Sequence, residues 1–230
     1  MPHVLQAWKI YHTFRVVDNS ILLARSLNLN EEDIKIASLI GLLHDIGRFE
    51  QVRIYNMFND YESTDHAILG VNILKENNFI DEFVVDKKIQ NVVLTAINNH
   101  NKYKIEDGLD DYTLMFCKII RDADKLDIFK IFAEKMYGIP HTNSFISPKV
   151  LDGFLNGEVL PDTYNETVMD GYLRTFSMLY DLNYEYSINK VIEDKIPKRI
   201  IDVIIENNSH EKENLLKIEK VFYKKRGNLC

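Results

Sequence analysis

Residues 30–47 read NEEDIKIASLIGLLHDIG. Asn30 stands where a helix N-cap belongs. Glu31, Glu32 and Asp33 fill a first turn, where carboxylates meet the positive end of the helix dipole. The buried line then runs Ile36, Ile40, Leu43 and His44, at helical spacing. Gly47 supplies a stop. The sequence on either side repeats the pattern. Upstream, residues 5–27 carry the stripe Leu5, Trp8, His12, Val16, Leu23 and Leu27. Downstream, a polar and aromatic loop over residues 48–62 leads to a third helix. Ser63 or Thr64 caps it, and His66, Leu69, Gly70 and Ile73 lie in line. A fourth helix carries Ile89, Val92, Val93 and Ala96 and ends at His100. A fifth, over about residues 112–137, shows Phe116, Ile120, Asp124, Asp127 and Ile131.

After a break at residues 138–147, Ser147-Pro148 opens further helices as cap and first turn. These include residues 167–183 and 197–207, before a frayed tail from Lys224. Trp8, Phe14, Phe116 and Phe129 are at helical spacing and read as core. Cys117 reads as a small core residue. No alternating strand pattern, internal repeat or low-complexity tract is found. The expected fold is all-α. A helical core over residues 1–137 carries a helical extension over residues 138–230, packed on it in one compact unit.

Composition agrees. The chain has 230 residues, 46% hydrophobic and 27% charged, which suits one soluble globular domain with a sizeable core. Glycine at 9 and proline at 5 are scarce, so long regular elements are expected. A net charge of −7 argues against binding long nucleic acid, which wants a basic face. Two cysteines, Cys117 and Cys230, make neither a disulfide framework nor a zinc-knuckle spacing, and fit a reducing cytoplasm. The longest mainly apolar run, residues 36–43, is far short of a membrane span. The opening MPHVLQAWKIYHTF lacks a basic stretch before an apolar run, so no signal peptide is expected. Composition leaves the seven histidines without roles.

The stripes give four of them a direction. His12, His44, His66, His100 and Asp124 each fall on the apolar face of a different helix. Buried titratable groups cost free energy unless partnered. A lone core histidine with one hydrogen bond is ordinary, but five polar residues on five buried stripes converge more readily on one divalent cation. Asp45 adds a second argument. Near the end of its helix, its carboxylate faces the negative end of the dipole, at a cost of about 0.3–1 kcal/mol. A bound cation reverses that cost, and Arg48 is the alternative partner.

The order His12, His44-Asp45, Asp124 resembles the HD-domain superfamily of metal-dependent phosphohydrolases. The contexts match as well: YHTFRV around His12, LLHDIGRFEQ around His44-Asp45 and IIRDADKLD around Asp124. His66 in STDHAILG and His100 in AINNHNKY resemble the two extra histidines of two-metal members. The motifs span about residues 5–135. The whole chain is similar to small bacterial HD hydrolases with a helical C-terminal extension.

The resemblance implies an HD-domain-like helical bundle. His12, His44, Asp45 and Asp124 would hold one metal. Asp45 would bridge to a second held by His66 and His100, and would position the nucleophilic water. One or two ions are implied, of Fe, Mn, Ni, Co or Zn, with Mg possible. Metal-bound hydroxide would attack a phosphoester of a nucleotide or another small phosphorylated metabolite. Arg15, Arg48 and Lys125 stand close in sequence to the ligands and are candidates for the substrate phosphate. Asp127, one turn beyond Asp124, reads as a solvated or capping carboxylate, or as support for the site. No Gly-Tyr-Pro signature follows the core, and no alarmone-synthetase domain is seen, so those branches' substrates are not carried over. Two other functions fit the same ligands. One is a di-iron oxygenase of the HD type, and the other a non-catalytic nucleotide-sensing module.

Overall fold

A computed structural model of the chain describes residues 2–76, 78–134 and 143–226, with side chains from residue 7 onward. No strand occurs among the described residues, and twelve α-helices do. The chain divides into two compact units, Met1–Asp124 and Lys125–Cys230. No described helix is long and apolar enough to cross a membrane.

The first unit holds α1 (Pro2–Ser26), α2 (Glu31–Leu43), α3 (Ile46–Tyr55), α4 (His66–Glu76), the short α5 (Phe79–Phe83), α6 (Lys87–Asn99) and the start of α7 (Asp111–Ala133). Helix α1 lies along α2, α3 against α4, and α6 against both α2 and α4. Between them Val16, Leu23, Ile40, Leu74, Val93, Ile97, Phe116 and Ile120 are buried together. Asn30 caps α2 as expected, accepting from the Asp33 amide at 3.0 Å. Asp86 caps α6 in the same way.

Several expectations give way. Residues 48–62 are not all loop, because α3 continues to Tyr55, burying Gly47, Gln51 and Val52 on one face. Gly47 therefore stops nothing. It lies inside α3, where a Cβ would stand 2.1 Å from the His66 carbonyl oxygen and 2.7 Å from the Gly70 amide. The glycine lets two helix backbones meet, not a helix end. The cap of α4 is Asp65, which accepts from the amides of Ala67 and Ile68. Ser63 and Thr64 instead receive the Gln51 amide. Phe14 is 57% exposed and is no part of the core, whereas Phe116 and Phe129 are fully buried. Asp127 is buried, not solvated.

The second unit holds the rest of α7, then α8 (Pro148–Asn156), α9 (Val168–Ser177), α10 (Glu185–Glu193), α11 (Ile196–Asn207) and α12 (Lys212–Arg226). Thr167 and Asp170 form a reciprocal capping box at α9. Asp170 also accepts the Ser147 amide at 2.9 Å. Ser147 sits at the N-cap of α8 without a side-chain bond. Phe154, Phe176, Tyr180 and Phe222 make an aromatic cluster with ring centroids 5.0–6.3 Å apart. The tail is ordered further than expected. Lys225 donates to the Asn156 carbonyl at 2.8 Å, and Arg226 to the Tyr180 carbonyl. Residues 135–142, where the expected fifth helix ends and the break begins, and residues 227–230, lie outside the described residues.

Candidate metal centre

Five helices and one junction bring six side chains together. His12 comes from the middle of α1, and His44 closes α2 as its C-cap. Asp45 is not in the last turn of that helix. It is the second of the two residues between α2 and α3, after His44, at φ −104° and ψ 14°, and it caps no amide of α3. The dipole cost expected from α2 is therefore opposed by the positive end of α3, and the carboxylate is left to serve what lies beside it. His66 is the first residue of α4, His100 the C-cap of α6, and Asp124 lies along α7. The four histidines and Asp45 are buried, while the Asp124 side chain keeps 16% of its surface.

The two oxygens of Asp45 divide the set. Oδ2 lies 3.6 Å from His12 Nε2 and 3.5 Å from His44 Nε2. Those same nitrogens lie 3.1 and 3.9 Å from Asp124 Oδ1. Oδ1 of Asp45 turns the other way, 3.3 Å from His66 Nε2 and 3.8 Å from His100 Nε2. One carboxylate thus stands between two clusters of donor atoms.

The far sides of the rings fix their tautomers. Nδ1 of His44 donates to the Gly41 carbonyl at 2.7 Å, and Nδ1 of His100 to the Ile97 carbonyl at 2.7 Å. Nδ1 of His66 faces Asp60 Oδ2 at 2.6 Å. Each Nε2 then presents a lone pair inward. His44 Nε2 is buried with no hydrogen-bond partner. His66 Nε2 and His100 Nε2 approach to 2.9 Å. Lone pairs facing one another and two carboxylates repel unless a cation lies among them. The residues present therefore fit a metal.

Electrostatics agree for the two acids and for His44 and His100. Burial opposes charge on Asp45, but Lys9 and the surrounding imidazoles of His44, His66 and His12 hold it well below the usual carboxylate range. Burial likewise opposes charge on Asp124, and His12 and His44 outweigh it, so that it too is lowered. Burial pushes His100 down to about 3, with His66 and His44 adding to it. His44 is lowered by burial despite Asp45 and Asp124. Ionised acids and neutral rings are what a metal requires of its ligands.

The supporting shell was invisible in the sequence. Asp60 works against its own burial and lies at about 2, held there by His66, Arg48 and Gln51. Besides His66 it takes Arg48 Nη1 at 2.6 Å and Gln51 Nε2 at 2.8 Å. It sits in an irregular segment, where no periodicity marks it. Arg121 is buried and donates to the carbonyls of Asn99, Lys102 and Tyr103, fixing the turn around His100. Lys9 reaches Asp45 Oδ2 at 2.6 Å. It stands three residues before His12 on the same helix.

The three phosphate candidates fare differently. Arg15 is half-exposed, three residues beyond His12 on α1. Arg48 Nη1 is held by Gln51, the Phe58 carbonyl and Asp60, with Nε 3.7 Å from Asp45. Lys125 belongs to the second unit. Its side chain is 5% exposed and its ammonium pairs with Asp181 at 2.8 Å, so its charge is committed within the second unit.

No curated protein and no solved structure matches the chain. The model of the HD domain matches residues 10–128, just over half of it. That span begins two residues before His12, ends four after Asp124, and holds all six clustered side chains. HD domains bind divalent metals and make up a superfamily of metal-dependent hydrolases, and this chain belongs to the HD domain family.

Proposed function

We propose that the protein is a metal-dependent phosphohydrolase that cleaves a phosphoester of a nucleotide or another small phosphorylated metabolite. The observation that carries this is the division of donor atoms by the two oxygens of Asp45. His12, His44, Asp45 and Asp124 would hold one ion, and Asp45, His66 and His100 a second. When bound, divalent ions supply a nucleophile from water at neutral pH and withdraw charge from a phosphoryl group.

The protein's own residues do the rest. Asp60 and the carbonyls of Gly41 and Ile97 keep the imidazoles in the ligating tautomer. Asp45, ionised, would orient a water between the two donor clusters. Arg15 offers a guanidinium for a phosphoryl oxygen, whose geometry suits a two-point contact. Arg48, committed to Asp60, steadies that side of the pocket. The acidic chain as a whole favours a small substrate over a long polyanion. A cytoplasmic setting, rich in such metabolites, suits it.

Phosphomonoesters, nucleotides and cyclic nucleotides assayed with Mn, Ni, Co, Mg and Fe test the proposal. Turnover with at least one metal, falling to background in His44→Ala, is expected. Full activity in His44→Ala, or no turnover by metal-loaded protein, overturns it. Oxygen-dependent substrate loss by anaerobically purified protein with a mixed-valent iron signal would put a di-iron oxygenase in its place.

A further inference from the structure

Lys9 is unusual among the lysines of the first unit in pointing its ammonium into the donor cluster. Its side chain keeps only 18% of its surface, and Nζ lies 2.6 Å from Asp45 Oδ2. The Phe58 ring covers it at 5.7 Å. Oδ2 is the same oxygen that faces His12 Nε2 and His44 Nε2. An ammonium and a divalent ion cannot share that oxygen without strong repulsion at about 4 Å. The lysine stem is flexible and its head is a point charge with three donors, so the ammonium is the cation that can move.

We propose that Lys9 is a displaceable counter-ion of the metal centre: it neutralises Asp45 in the metal-free protein, leaves Oδ2 when a metal binds there, and then serves an anionic oxygen of the substrate. This rests on the metal-centre reading above. It gives one residue two partners in succession, and it makes the site's metal affinity a balance between two cations.

Manganese affinity by chelator competition, and inorganic phosphate affinity of the Mn-loaded protein by calorimetry, test it on the full chain. Lys9→Met keeps the stem but removes the charge. It is expected to bind Mn about tenfold tighter than the unsubstituted protein and phosphate about tenfold more weakly. Lys9→Arg is expected to stay near the unsubstituted protein in both. Lys9→Gln carries the same test should Lys9→Met fail to fold. Manganese affinity unchanged or weaker in the neutral variants overturns the proposal, as does unchanged phosphate affinity. If the unsubstituted protein binds no manganese, the metal-centre reading falls first and this proposal with it.

Discussion

Asp60 shows how much of the centre depends on a residue that is not itself one of the six proposed ligands. It takes the Nδ1 proton of His66 and so aims His66 Nε2 at Asp45. Removing such a support costs about 10–100-fold in metal affinity. Asp60→Ala is therefore expected to weaken the His66/His100 position by that factor while His12, His44 and Asp124 keep theirs. Metal stoichiometry at fixed free manganese, falling from two toward one, is the measurement. Asp60→Asn retains an acceptor and should fall between. A second outcome follows from the buried rings. Burial lowers both His44 and His100 from the ordinary histidine value of 6.5, His100 down to about 3, so they stay neutral in the folded protein below the pH at which free imidazole charges. Unfolded chains bind those protons first. Stability of the metal-free protein should thus be complete above pH 6.5 and fall steadily as the pH drops toward 3. Asp60 adds to the loss between 3.8 and about 2. Urea unfolding of chelator-treated protein across this range checks it. A midpoint that does not move between pH 7 and 5 would mean that these rings are charged in the fold. At this scale the convergence of the four histidines was legible because each interrupts an apolar stripe. Asp60 and Lys9 were not, since a loop acid and a helical lysine look like solvated charge until their partners are seen.

Among the elements, the junction of α2 and α3 is where sequence reading and structure part. Gly47 resembles a helix stop, so residues 48–62 read as loop. The break is in fact two residues, His44 and Asp45, and α3 runs on with Gly47, Gln51 and Val52 buried. A glycine chosen for close approach and one chosen for a left-handed turn look alike in sequence. The difference matters here, because the Gly47 contact seats α4 and hence His66 beside Asp45. Gly47→Ala is expected to destabilise the protein by about 3 kcal/mol, at the upper end for overpacking because the clash is with backbone. It should also weaken metal binding. An unchanged urea midpoint would show that α3 and α4 can separate freely. Helix α7 was legible from its stripe. The role of Arg121 was not, because an arginine beside Asp122 and Asp124 reads as part of a charged run until its guanidinium is seen collecting carbonyls around His100.

For the molecule as a whole, scarce glycine and proline correctly pointed to helices throughout, and composition could say no more than that. All six proposed ligands lie within Met1–Asp124. Metal at 100 times its dissociation constant should add about 2.7 kcal/mol to the folded state. The added amide-exchange protection is expected on residues 2–124. Added protection confined to residues 125–226 would assign the metal a different place. The peptide-to-peptide contact at Gly47 and Gly70 has one last consequence. The distance between His66 and Asp45 is set by main chain meeting main chain, not by the side chains that line the pocket. A longer or shorter side chain nearby then leaves that spacing as it is, whereas a single methyl group added at Gly47 alters it.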